Sequence, residues 1–158
     1  MRVLGPVFSK DDLERACVEL VALIDPNAES SGMAWAWNPY RAPLGLGNYD
    51  VNALTYALQQ KGYTMKWLDK RLPMDDNFVK FDEVEGILCN IEMSTMLSSV
   101  WTQRHWFAIR KIHGVCYNLD SKLEAPVPFP LESECYKFLQ ELVNTGECEL
   151  FAIKNSET

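Results

Sequence analysis

The stretch Arg104 to Leu123, RHWFAIRKIHGVCYNLDSKL, constrains the fold more than any other part of the chain, because its letters read as a β-hairpin. HWFAIRKI and VCYNLDSKL are rich in β-branched and aromatic residues, and His113-Gly114 between them makes a two-residue hairpin loop. Glycine adopts a positive φ without steric penalty, and histidine tolerates one better than most residues. With Ile112 and Val115 flanking the turn, the register sets Phe107 opposite Asp120 and His105 opposite Lys122. Side chains alternate along each strand. His105, Phe107, Ile109 and Lys111 therefore share one face with Cys116, Asn118, Asp120 and Lys122.

On that face His105 and Asp120 are diagonal neighbours. Such pairs lie roughly 7–8 Å apart between backbone positions and closer at the side chains, within reach for an imidazole and a carboxylate. A carboxylate in that place fixes the tautomer and orientation of a general-base histidine. A strand-end histidine that only satisfies a backbone carbonyl accounts for the same letters. A three-residue loop would flip the register and separate the two side chains.

A chain of 158 residues fits one domain with room for a core. The formal net charge of −7, with no Lys/Arg-rich run, argues against nucleic-acid binding and suits a basic partner. No apolar run approaches the length of a transmembrane segment, and Met1-Arg2 is not followed by a signal core, so a cytoplasmic or nuclear protein is expected. Five cysteines without CxxC spacing suit free thiols in a reducing compartment. With only two histidines beside them, neither a metal nor a cofactor is expected.

Along the chain, Ser9-Lys10-Asp11-Asp12 has the form of a capping box. It opens a helix in which Leu13, Ala16, Cys17, Leu20, Leu23 and Ile24 recur at helical spacing, until Asp25-Pro26 ends it. Residues 27–47 read as a loop carrying Trp35 and Trp37, which either pack over the core or form a contact patch. After Gly47-Asn48-Tyr49-Asp50 comes a helix with Val51, Leu54, Ala57 and Leu58 inward, stopped by Gly62. YTMKWLD alternates as a strand, and residues 70–80 read as an exposed connection. Residues 81–91 suggest a short helix using Val84, Ile87 and Leu88, followed by a buried strand at GILCNI. A Ser/Thr/Met-rich loop at 93–102 leads into the hairpin, and a proline-rich turn at 125–130 follows it. Glu132 to Asn144 reads as a helix with Cys135, Phe138, Leu139 and Leu142 inward, and residues 148–153 as a last strand. Helices lead and strands cluster late with antiparallel pairing. The expected class is α+β, with helices packed beside a mainly antiparallel sheet.

RHWFAIRKI followed by YNLDSKL, together with LGLGNYDVNALTYALQQKGY upstream, resembles the Josephin family of ubiquitin-directed cysteine proteases. The resemblance implies the papain-like version of the α+β class. It divides the chain into a non-family segment at 1–7, a Josephin-like domain at 8–153 and a polar tail at 154–158. It also implies that His105 is the general base and Asp120 its orienter, the two residues that the hairpin register pairs. The implied partners are ubiquitin or ubiquitinated proteins, and the implied reaction is hydrolysis of isopeptide bonds at the ubiquitin C-terminus.

Such a protease needs a thiolate, normally on a Cys at a helix start. Cys116 shares the face of His105 but lies opposite Lys111, roughly 20 Å along the strand at about 3.3 Å per residue. Cys17 and Cys135 sit on apolar helix stripes, Cys89 lies in a buried run, and Cys148 begins a strand. In the family that this chain resembles, the nucleophilic Cys is followed by a small residue, then His or Cys, then Leu-Asn-Asn, and a Gln lies upstream. No such string is present, so the expected nucleophile is none and the domain reads as N-terminally truncated. Three readings stay open: a deubiquitinase domain inactive for want of its nucleophile, a non-catalytic ubiquitin-binding pseudo-protease, or a truncated product that folds poorly.

Overall fold

The computed structural model describes Arg15 and residues 51–93 and 103–157. In chain order these residues form helix α1 (Val51–Gln60), strand β1 (Tyr63–Trp67), a 3₁₀ turn (Phe81–Glu83), β2 (Gly86–Met93), β3 (Gln103–Ile112), β4 (Val115–Asn118), β5 (Val127–Pro128), helix α2 (Glu132–Asn144) and β6 (Cys148–Asn155). The expected first helix and the tryptophan loop lie outside the described residues, apart from helical Arg15. Chain contacts divide the protein into two units, Met1–Tyr63 and Thr64–Thr158.

In the first unit, α1 buries Ala53, Leu54, Ala57 and Leu58. Ala53 takes the buried place in this stripe that the sequence suggests for Val51. At 3.6 residues per turn Val51 falls on the flank of those four side chains, and it is half-buried. The helix ends where Lys61 and Gly62 donate their N–H groups back to the carbonyls of Leu58 and Gln59.

The second unit is built on a six-stranded sheet in the order β1-β6-β2-β3-β4-β5. β2 pairs antiparallel with β3 on one side and β6 on the other, and β4 lies antiparallel between β3 and β5. The α+β class expected from the sequence is the one observed. Alternation sorts each strand into two faces. Ile87 and Cys89 of β2, Phe107 and Ile109 of β3, Cys116 of β4 and Cys148, Leu150 and Ala152 of β6 are buried in one core. Cys135, Tyr136, Leu139 and Val143 of α2 complete it. Five of these side chains, Ile87, Cys89, Ile109, Cys135 and Leu139, are 0% exposed. At about 1.5–3 kcal/mol for each large aliphatic side chain removed from water, this layer dominates the stability of the unit. On the opposite face Trp106 and Phe151 stand with ring centroids 5.7 Å apart.

The structure departs from the sequence reading in several further places. The helix expected within 81–91 is a single 3₁₀ turn; Val84 is already extended, and Ile87 and Leu88 belong to β2. Pairing on both edges of β2 overrides the helical spacing of its apolar residues. The connection at 70–80 is not wholly exposed, since Met74 and Val79 enter the core. Helix α2 holds it there: Met74 N–H donates to Gln140 Oε1 at 3.0 Å, and Tyr136 O–H to the carbonyl of Val79 at 2.7 Å. The proline-rich turn contains β5, and β6 runs on to Asn155. The second strand of the hairpin stops at Asn118 instead of continuing through Asp120.

At the β1 edge, Trp67 is half exposed, and its indole N–H donates to Glu149 Oε2 at 2.7 Å while Lys70 reaches Oε1 at 2.7 Å. Burial pushes the Glu149 carboxyl up, but these two donors outweigh it and hold the group below its ordinary range. The cluster fastens β1 to β6 at the end of the sheet where Leu68 N–H bonds to the carbonyl of Leu150.

Candidate active site

The site grows from the hairpin turn. His113 and Gly114 have φ of +49° and +83°, the two positive values that a type I′ turn requires. That turn fixes the pairing Ile112 with Val115, Lys111 with Cys116, Arg110 with Tyr117 and Ile109 with Asn118, the register expected from the sequence. His105 therefore shares its face with Phe107 and Ile109. It lies opposite Ile91 of β2 and stacks on the Phe107 ring at 5.9 Å and 24°.

Asp120 follows the end of β4. After Leu119 donates its N–H to the carbonyl of Ala108, the chain leaves the ladder. Asn118 Oδ1 accepts the N–H of Asp120 at 3.0 Å, Asp120 Oδ1 accepts the N–H of Lys122 at 2.9 Å, and Leu123 N–H bonds to the Asp120 carbonyl at 3.0 Å. This compact turn brings the carboxylate to His105, with Nε2 and Asp120 Oδ1 2.7 Å apart. The two side chains are 14% and 17% exposed, sheltered yet open on one side. A carboxylate in its ionised form only accepts, so a neutral imidazole bonded to it through Nε2 is the tautomer with the proton on Nε2 and the lone pair on Nδ1. An imidazole held this way can take a proton at Nδ1 from a neighbouring acid.

The four described cysteines have the opposite character. Cys89, Cys116, Cys135 and Cys148 are free, buried thiols. Burial is the leading cause that pushes each thiol up; Cys148, which the charge of the adjacent Glu149 also raises, is moved up to about 11. Cys89 is opposite Phe107 in the β2–β3 pair and so shares the face of His105, a proximity the sequence did not reveal because it depends on which strand lies beside β3. Its thiol is fully enclosed, and the neighbouring Cys148, Cys135 and Asp120 push it up further. Cys17 lies outside the described residues.

Lys111, on the same face near the hairpin turn, is committed to Asp82 at 2.9 Å and Glu132 at 2.7 Å, and hydrogen bonds from its ammonium to these two carboxylates push it above its ordinary range. Among the described residues no three His, Cys, Asp or Glu side chains gather to hold a metal ion. No helix among them is long and apolar enough to cross a membrane.

Comparison with known proteins gives one answer. The family model of Josephin matches residues 3–154. Josephin-2 of Homo sapiens is 38% identical over 123 residues, covering 76% of this chain and 64% of that protein. The Josephin-like protein of Drosophila melanogaster is 33% identical over 159 aligned positions, covering 98% and 66%. The Josephin-like protein of Arabidopsis thaliana is 35% identical over 140, covering 85% and 37%. The chain thus spans 64% to 66% of the two animal relatives' length.

Proposed function

Because the chain belongs to the Josephin family, a family of deubiquitinase-type domains, we propose that His105 and Asp120 are the base and orienter of a cysteine-protease site. Its substrate is the isopeptide bond at the ubiquitin C-terminus, and its partners are ubiquitin or ubiquitinated proteins. The observation that carries this reading is the 2.7 Å bond between His105 Nε2 and Asp120 Oδ1, which engages one ring nitrogen and leaves Nδ1 outside that bond.

In this scheme Nδ1 takes the proton of a thiol, and the thiolate attacks the isopeptide carbonyl. The imidazolium then protonates the departing lysine amine, and water activated by the same imidazole releases the ubiquitin carboxylate. The thiol is none of Cys89, Cys116, Cys135 and Cys148, all closed off and held protonated. Cys17 reads from the sequence as an apolar helix-stripe residue; with no thiolate in place the dyad has nothing to activate, and direct attack by water lacks the covalent step. The 158-residue polypeptide is therefore expected to hold ubiquitin without turning it over. Its buried free thiols suit a reducing compartment, cytoplasmic or nuclear.

The test is intact mass after incubation with ubiquitin carrying a thiol-reactive C-terminal electrophile, beside His105→Ala and each Cys→Ala, with unmodified ubiquitin titrated calorimetrically. Reversible binding with no adduct is expected. A one-to-one adduct lost in His105→Ala and in a variant of one of the four buried cysteines overturns their exclusion. Absence of binding by a folded chain overturns ubiquitin as the partner.

A further inference from the structure

His105 and Asp120 stand on backbone of different kinds. His105 belongs to β3, which is paired on both sides, with β2 and with β4. Asp120 lies beyond the last ladder residue of β4, where no strand pairing fixes it. A carboxylate held at 2.7 Å from Nε2 needs its backbone set by something else.

The residue placed to do this is Asn118. Its backbone is fixed twice, opposite Ile109 of β3 and opposite Val127 of β5. Its side chain shares the sheet face of His105 and Phe107, so its carbonyl stands on the side toward which the chain must turn. Asn118 Oδ1 accepts the Asp120 N–H at 3.0 Å, and Asp120 Oδ1 repeats the pattern on Lys122 N–H at 2.9 Å. These are two consecutive turns of the Asx type, the first presenting the residue that makes the second. The oxygen that closes the second turn is also the oxygen that holds the imidazole.

We propose that Asn118 is a positioning residue: its side-chain carbonyl sets the turn that presents the Asp120 carboxylate to His105. The inference rests on the reading of His105 and Asp120 as a functional pair, and it adds a third member that does not touch the imidazole. When the Asn118 acceptor is removed, the first turn loses its closing bond and Asp120 is released from its place over the sheet, although both dyad side chains are still present.

The readout is the long-range ¹⁵N spectrum of the His105 ring in the 158-residue chain, which distinguishes an Nε2–H imidazole fixed by a carboxylate from one that exchanges between tautomers. In Asn118→Ala the ratio of engaged to released imidazole should fall roughly fivefold, the factor corresponding to the ordinary net worth of one hydrogen bond. Asn118→Ser retains an oxygen that closes the same turn more weakly and should recover most of the signature. Asn118→Gln keeps an amide on that face but carries its carbonyl one methylene too far. It should lose the signature, and it replaces the alanine variant if that one does not fold. A folded Asn118→Ala or Asn118→Gln protein with the unaltered His105 spectrum overturns the proposal, whatever its melting temperature. Asp120→Ala is recorded in parallel. No response to Asp120→Ala means that the dyad itself has failed, whereas a response there with none at position 118 removes only the positioning role.

Discussion

An aromatic disulfide reagent added at pH 8 should leave Cys89, Cys116, Cys135 and Cys148 unmodified while the protein stays folded. Two effects act in the same direction. The first is access: the four residues are 0%, 3%, 0% and 1% exposed, so a reagent the size of a nucleobase reaches them only after local opening. The second is ionisation. Burial and then Glu149 hold the Cys148 thiol up at about 11, so at pH 8 only about one molecule in a thousand carries its thiolate, against about a quarter for an unperturbed thiol. That difference alone slows the reaction roughly 200-fold, before the cost of opening. Burial also raises Cys116, and it raises Cys89 and Cys135 further. The same asymmetry ties stability to pH. The unfolded chain loses its thiol protons first, so stability should hold below the ordinary thiol range and then fall with rising pH, for Cys148 until about 11. Labelling would be followed by absorbance, quenched, and mapped by peptide mass so that Cys17 is scored separately; in guanidinium all five cysteines should react. Labelling of any of the four at a free-thiol rate in the folded protein would refute the argument, and with it their exclusion as the nucleophile.

Three further outcomes follow from the packing. Gly86→Ala places a methyl 2.8 Å from Arg110 Cγ and 3.0 Å from the carbonyl of Ile109, and Arg110 cannot yield freely because its Nε donates to the Glu85 carbonyl. Overpacking of about 1–3 kcal/mol exceeds the gain of about 0.4–1 kcal/mol from a stiffer unfolded chain. The melting temperature should drop by roughly 2–6 °C, and a rise would contradict the packing. His113 holds φ at +49°, so His113→Asn should stabilise by a few tenths of a kcal/mol, and His113→Val should destabilise by about 1–2 kcal/mol; denaturant midpoints in the opposite order would count against the type I′ turn. Leu139→Ala removes a fully buried side chain between α2 and the sheet and should cost about 2–5 kcal/mol by chemical denaturation, a loss below 1 kcal/mol showing that this layer is not packed as described.

The parts of the fold that the sequence disclosed are those set by neighbours in the chain. The hairpin register followed from His113-Gly114 and side-chain parity, and α2 runs from Glu132 to Asn144 as its spacing predicts. What escaped the sequence depends on distant partners. Val84, Ile87 and Leu88 have helical spacing, yet β2 is flanked by β3 and β6 and becomes a strand. Met74 and Val79 look like loop residues until Gln140 and Tyr136 of α2 hold their backbone against the core. In the site, the pairing of His105 with Asp120 was legible, although Asp120 reaches it from a turn and not from a diagonal strand position. The spacing Asn118-Leu119-Asp120, with a carbonyl two residues before a backbone N–H, was the available signal for that turn.

The strand order has a consequence for how the protein comes into being. Of the six described strands β6 is made last but occupies the place between β1 and β2, so these two have no common neighbour until it has been made. The β3–β4 hairpin is different: its partners are close in sequence, and loop closure there is fast and entropically cheap. During synthesis His105 and Asp120 can thus meet while the sheet is still open and apolar side chains such as Ile87 and Ile109 remain uncovered. That interval is when a nascent chain of this topology most needs a chaperone, and the arrival of β6 closes it.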